Sequence, residues 1–183
     1  VRKFIILIAI FTLISCSNDD SNISKPKGQL SVNNEITDLN YAYLIIYFSL
    51  GSEYQNIELY FSDKPILFED GIVKHSNNTK ASISLFLDGL ELNPTTIENE
   101  YPFIFIGVND FYNNPKPYLS RGTLRRNITY VDGESNEEKI IKTWKYGNVS
   151  ISKNNDDYII NFELENDNIF LTGNYKGQLI TVN

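Results

Sequence analysis

The stretch Tyr158-Ile159-Ile160-Asn161-Phe162-Glu163-Leu164 decides the fold. Tyr158, Ile160, Phe162 and Leu164 fall on one side of an extended chain, and Asn161 and Glu163 on the other, a period of two that a helix does not reproduce. One face is therefore a core face and the other is wet. The residue types agree, because aromatic and β-branched side chains fit a pleated, half-buried surface.

The same alternation extends outward along the chain. Tyr54 to Ser62 turns Ile57, Leu59 and Phe61 inward and Asn56, Glu58 and Ser62 outward, and Ala81 to Asp88 turns Ile83, Leu85 and Leu87 inward. Tyr41 to Leu50 and Pro102 to Val108 are apolar on both faces, which predicts central strands or strands under a covering loop. Asp132-Gly133 joins Leu124 to Val131 with Lys139 to Lys145 as a hairpin. Asn154-Asn155-Asp156-Asp157 joins Asn148 to Lys153 with Tyr158 to Glu165, and Asn166-Asp167-Asn168 leads into Ile169 to Leu179. Consecutive turns predict a C-terminal antiparallel meander, and the segments add to roughly nine to eleven strands with no helix. The expected fold class is all-β, an antiparallel β-sandwich formed by residues 29–183 as a single domain, with a lipocalin-like closed β-barrel as the alternative.

Composition narrows the chemistry. The chain has 183 residues, 16 Lys+Arg against 23 Asp+Glu, a net charge of -7, one Cys and one His. A lone Cys and a lone His exclude an internal disulfide and Cys-based or multi-His metal centres, so no cofactor and no metal are expected. The acidic balance opposes phosphate backbones, and no nucleic-acid partner is expected.

The first residues read as an address. Arg2-Lys3, the weakly polar run Phe4 to Ser15, and then Cys16 have the layout of a secretory signal. A helix over that run covers about 18 Å against roughly 30 Å of hydrocarbon, too short for a permanent span. Leu13-Ile14-Ser15-Cys16 resembles the bacterial lipobox. That resemblance implies removal of residues 1–15 and lipid attachment at Cys16, with palmitate among the acyl chains. Two or three acyl chains anchor stably where one holds only marginally. Residues 16–28 are polar apart from Ile23 and read as a flexible tether.

Three C-terminal stretches carry a further resemblance: Gly147-Asn148-Val149-Ser150-Ile151-Ser152, Asp157 to Leu164, and Leu171-Thr172-Gly173-Asn174-Tyr175-Lys176-Gly177-Gln178-Leu179. They are similar to the closing hairpins of uncharacterised Bacteroidetes-type lipoproteins, and the acidic pair Asp19-Asp20 resembles their short export tags. The resemblance implies a β-rich outer-membrane lipoprotein of the cell envelope, displayed outward, and supplies no catalytic residues. Gly173 and Gly177, flanking Tyr175, read as strand-shaping positions.

Catalytic constellations are missing from the sequence. His75 sits in the polar stretch Lys74-His75-Ser76-Asn77-Asn78 and reads as a solvated surface residue, with no G-x-S-x-G elbow to pair with it. Glu134, Glu137 and Glu138 read as a water-facing run at a turn, and Asp156, Asp157 and Asp167 as turn carboxylates. The segment Asn109 to Tyr118 combines Phe111, Tyr112 and Tyr118 with amides and two prolines, the mixture of flat apolar faces and hydrogen-bonding groups that a saccharide or peptide needs. Capping of the core by the same rings is the structural alternative. The neighbours Ile140 and Lys142 leave open which side Trp144 takes. The expected function is a non-enzymatic, lipid-anchored binding module whose partners are the membrane and an extracellular glycan or protein. A carrier of a small apolar ligand and a carbohydrate-binding accessory protein are the alternatives.

Overall fold

Alternating side chains draw the chain into long extended segments, and asparagine-rich pairs reverse it between them. The computed structural model describes residues 26–47, 54–69, 72–91, 97–104, 117–131, 134–137 and 139–182. Among them are fifteen strands and no helix: β1 (Gly28–Val32), β2 (Glu35–Leu39), β3 (Tyr41–Tyr47), β4 (Tyr54–Ser62), β5 (Ile66–Glu69), β6 (Ile72–His75), β7 (Thr79–Glu91), β8 (Asn99–Pro102), β9 (Tyr118–Val131), β10 (Glu134–Asn136), β11 (Lys139–Ile141), β12 (Tyr146–Asn154), β13 (Asp157–Glu165), β14 (Phe170–Gly177) and β15 (Ile180–Val182).

A six-stranded sheet runs β2-β1-β14-β13-β12-β8, and a seven-stranded sheet runs β10-β9-β7-β4-β3-β15 with β11 also on β9. Between them lies the core. Leu30, Ile160, Phe162, Leu164, Leu171 and Tyr175 of the first sheet face Ile57, Leu59, Phe61, Ile83, Leu85 and Leu87 of the second, and none of them is more than 4 % exposed. Phe61 is the bridging ring, stacked 5.2 Å from Phe162 and tilted 5.6 Å from Tyr175. Burying each such side chain contributes about 1.5–3 kcal/mol.

The chain passes between sheets at corners. Asn40 joins β2 to β3, its N–H donating to the Ser62 carbonyl. At the other end the Phe103 N–H donates to Gly147 in the first sheet and the Ile104 N–H to Leu119 in the second. Among the described residues both sheets keep free edges, so the structure is a sandwich and the closed-barrel alternative is overturned.

The meander β12-β13-β14 is antiparallel throughout, and Ile160, Phe162 and Leu164 are buried while Asn161 and Glu163 are exposed. Several details differ from expectation. Strands are more numerous because short pieces such as β2, β10 and β15 were too brief to register as alternation. Pro102 ends an edge strand, where its missing N–H costs no ladder bond, rather than opening a central one. The segment expected over 139–145 stops at Ile141. Instead of continuing the meander, β15 crosses to pair parallel with β3. Finally, Glu58 and Ser62 are 6 % and 0 % exposed rather than wet.

Candidate functional site

Burial on the supposedly wet side of β4 has a cause. The β5–β6 hairpin folds over one half of the outer face of the seven-stranded sheet. Phe68 packs 5.1 Å from Tyr43 and 5.7 Å from Tyr60, and the Ile66 N–H donates to the Tyr43 hydroxyl at 3.0 Å. His75 is buried there, corrected from the expected surface position. Its Nε2 lies 3.0 Å from Ser82 Oγ, and the His75 backbone N–H donates to Tyr130 Oη at 3.1 Å. Burial, helped by the Arg125 charge, lowers the imidazole to about 4.

The other half of that face stays open and forms a pocket of ≈ 250 Å³, lined by Glu58, Tyr60, Ser84, Arg121, Thr123, Arg125 and Lys142. Register brings these residues together: Glu58 stands opposite Phe86, which stands opposite Arg121, and Tyr60, Ser84 and Thr123 form the adjacent row. The Arg121 guanidinium lies over the Phe86 ring at 4.7 Å. The Tyr47 hydroxyl donates to Glu58 Oε2 at 2.8 Å, and burial together with that carboxylate pushes the phenol up to about 12. Burial and the same carboxylate raise Tyr60 as well. Arg125 Nη1 pairs with Glu137 Oε1 at 2.6 Å, and the Glu137 side chain is 9 % exposed, a correction to its expected solvation. Glu134 is exposed as expected, while Glu138 lies outside the described residues.

A second surface occupies the outer face of the six-stranded sheet. Its outward positions align into two rows, Gln29-Asn174-Asn161-Ser150 and Ser31-Thr172-Glu163-Asn148, because β1, β14, β13 and β12 pair in consistent register. These residues and Ile36 line a groove of ≈ 570 Å³. The Asn148 amide donates to Glu100 Oε2 at 2.9 Å and the Gln29 amide to Asp38 Oδ1 at 3.3 Å. Eight polar side chains with one charge among them make a surface of amides, hydroxyls and a single carboxylate, able to donate and accept hydrogen bonds.

Cys16, Phe111 and Tyr112 lie outside the described residues. Tyr118 opens β9 opposite Asp88 and is 4 % exposed. Burial, with the Asp88 charge, pushes its phenol up to about 12. Trp144 is buried, its Nε1–H donating to the Gly122 carbonyl at 2.8 Å. Asp167 pairs with Lys145 at 2.5 Å on the surface. Among the described residues no cluster of His, Cys, Asp and Glu is suited to a metal ion, and no helix is long and apolar enough to cross a membrane.

Neither surface was legible as a site from the sequence alone. The available signal was the outward half of each alternation: Asn148, Ser150, Asn161, Glu163, Thr172 and Asn174 on one sheet, and Arg121 with Arg125, four residues apart and so on one face of a strand, on the other. Comparison with known proteins finds no matching family model, no similar curated protein and no matching solved structure.

Proposed function

We propose that this protein is a non-enzymatic binding module of the bacterial cell envelope, held at the outer membrane by acyl chains on Cys16 and engaging a neutral, hydroxyl-rich ligand, an extracellular saccharide, through the groove of the six-stranded sheet. The anchor rests on the lipobox-like Leu13-Ile14-Ser15-Cys16 behind a basic pair and a short apolar run. The observation that carries the binding role is the pair of aligned polar rows, since Ser31, Ser150, Asn161, Thr172 and Asn174 stand on rigid strands with amides and hydroxyls aimed to one side. Fixed donors and acceptors spare a ligand the cost of ordering them. A saccharide offers the complementary set, each hydroxyl both donating and accepting.

Two measurements test the reading. Radiolabelled palmitate is incorporated by the wild type and not by Cys16→Ala; equal labelling removes the anchor. On a glycan array the wild type retains neutral oligosaccharides that Asn161→Ala/Asn174→Ala does not; an array silent for the folded wild type, or identical for both, removes the groove.

A further inference from the structure

The pocket on the opposite sheet differs in chemistry from the groove, and its residues suit another ligand. Arg121 and Lys142 are exposed at its rim, and among the described residues neither has an ion-pair partner. Lys27, Lys64, Lys80, Lys153 and Lys176 likewise stand outside the ion pairs among the described residues, so what distinguishes Arg121 and Lys142 is that both line one cavity. Arg121 is also held in place, because its guanidinium rests on the Phe86 ring and presents its planar fork without a large loss of side-chain freedom. These cations suit an anionic group.

A simple oxyanion leaves half of the pocket unused. Glu58 lines the same cavity, is 6 % exposed, and repels a bound dianion at close range. A carboxylate in that position is instead an acceptor for hydroxyl donors: Tyr47 already donates to its Oε2, the remaining lone pairs can accept from a ligand, and Ser84 and Thr123 beside it donate or accept as required. Tyr60, packed against Phe68, completes the lining.

We infer that the Arg121–Lys142–Glu58 pocket binds one acidic sugar unit, its carboxylate held by Arg121 and Lys142 and its ring hydroxyls by Glu58, Ser84 and Thr123. This assignment does not rest on the groove reading, since the two surfaces lie on opposite sheets and share no residue. It makes the module a receptor for glycans carrying uronic or sialic acid units.

Titration calorimetry of the full chain against glucuronate-, galacturonate- and sialate-terminated trisaccharides tests the inference, with their methyl esters and sodium sulfate as controls. At least one acid binds, its ester binds at least tenfold more weakly, and Arg121→Gln/Lys142→Gln reduces affinity at least tenfold. Asn161→Ala/Asn174→Ala leaves this binding unchanged, which separates it from the groove. Ser84→Ala/Thr123→Ala weakens the acid and not sulfate, and serves where Glu58→Gln does not fold. Binding by none of the acids, equal binding of acid and ester, or sulfate binding as tightly as the acids overturns the assignment.

Discussion

The Phe162 ring lies directly across Gly173, its partner on the neighbouring strand: a Cβ at position 173 would stand 2.1 Å from Phe162 Cζ. The glycine's missing side chain is the space that lets Phe162 lie flat and stack on Phe61. Gly173→Ala is therefore expected to destabilise by about 1–3 kcal/mol through overpacking, and Phe162→Ala by about 3–5 kcal/mol through the cavity it leaves. In urea titrations the Gly173→Ala/Phe162→Leu double variant loses less than the sum of its parts; additive losses would show that ring and glycine do not share the space.

His75 gives stability a dependence on acid. Its ordinary value is 6.5 and burial lowers it to about 4, so between those values the unfolded chain binds a proton that the folded chain does not. Stability contributed by the neutral ring is complete above pH 6.5 and is lost as pH falls toward 4, in total roughly 2 kcal/mol after allowance for partial solvent access. Urea midpoints measured between pH 7 and 5 should fall more steeply for the wild type than for His75→Gln. Parallel slopes would place the imidazole in solvent.

Trp144 reports on the same core from the other end. Its indole is 2 % exposed and bonds Gly122, whose lack of a side chain admits it: a Cβ there would sit 3.1 Å from Nε1. Because the chain has one Trp, its fluorescence should be blue-shifted and protected from iodide. Trp144→Phe leaves the Gly122 carbonyl without its donor and costs about 1–3 kcal/mol. Red-shifted, iodide-quenched emission from the native state would contradict the placement.

Arg125 and Glu137 form a pair in which removal of one partner costs more than removal of both. The arginine side chain is 34 % exposed and the glutamate 9 % exposed, and Glu137 Oε2 is buried with no hydrogen-bond partner among the described residues. Arg125→Ala should cost about 2 kcal/mol, below the value for a fully buried pair because water reaches the guanidinium. Arg125→Ala/Glu137→Gln should recover part of that loss in a thermal or urea melt. A double variant less stable than Arg125→Ala alone would refute the coupling.

The fold was legible where chemistry is local. Ile160, Phe162 and Leu164 announce an inward face by spacing alone, and the meander follows from its turns. Asparagine turns were harder: Asn33 and Asn34 both adopt positive φ, 49° and 70°, and close a two-residue hairpin between β1 and β2 within a segment whose short strands show little alternation. Glu58 and Ser62 look wet in sequence because polarity stands in for exposure, whereas three-dimensional packing, with β5 and β6 over one half of that face and the Tyr47 phenol on Glu58 in the other, buries them. The same limit hid the pocket. Its residues come from β4, β7, β9 and the segment after β11, and only strand register sets Glu58 in line with Arg121. Trp144 was undecided because it follows the end of a strand, where alternation no longer fixes a side.

The pairing of Gly28 with Tyr175 sets the timing of assembly. A ribosome delivers β1 and β2 early, yet the strand that seats them in the sheet emerges only after nearly the whole sandwich has been made. Until then the six-stranded layer cannot close, because β14 stands between β1 and β13. Such long-range closure is slow, since the entropy of joining distant segments is lost before their contacts can compensate it.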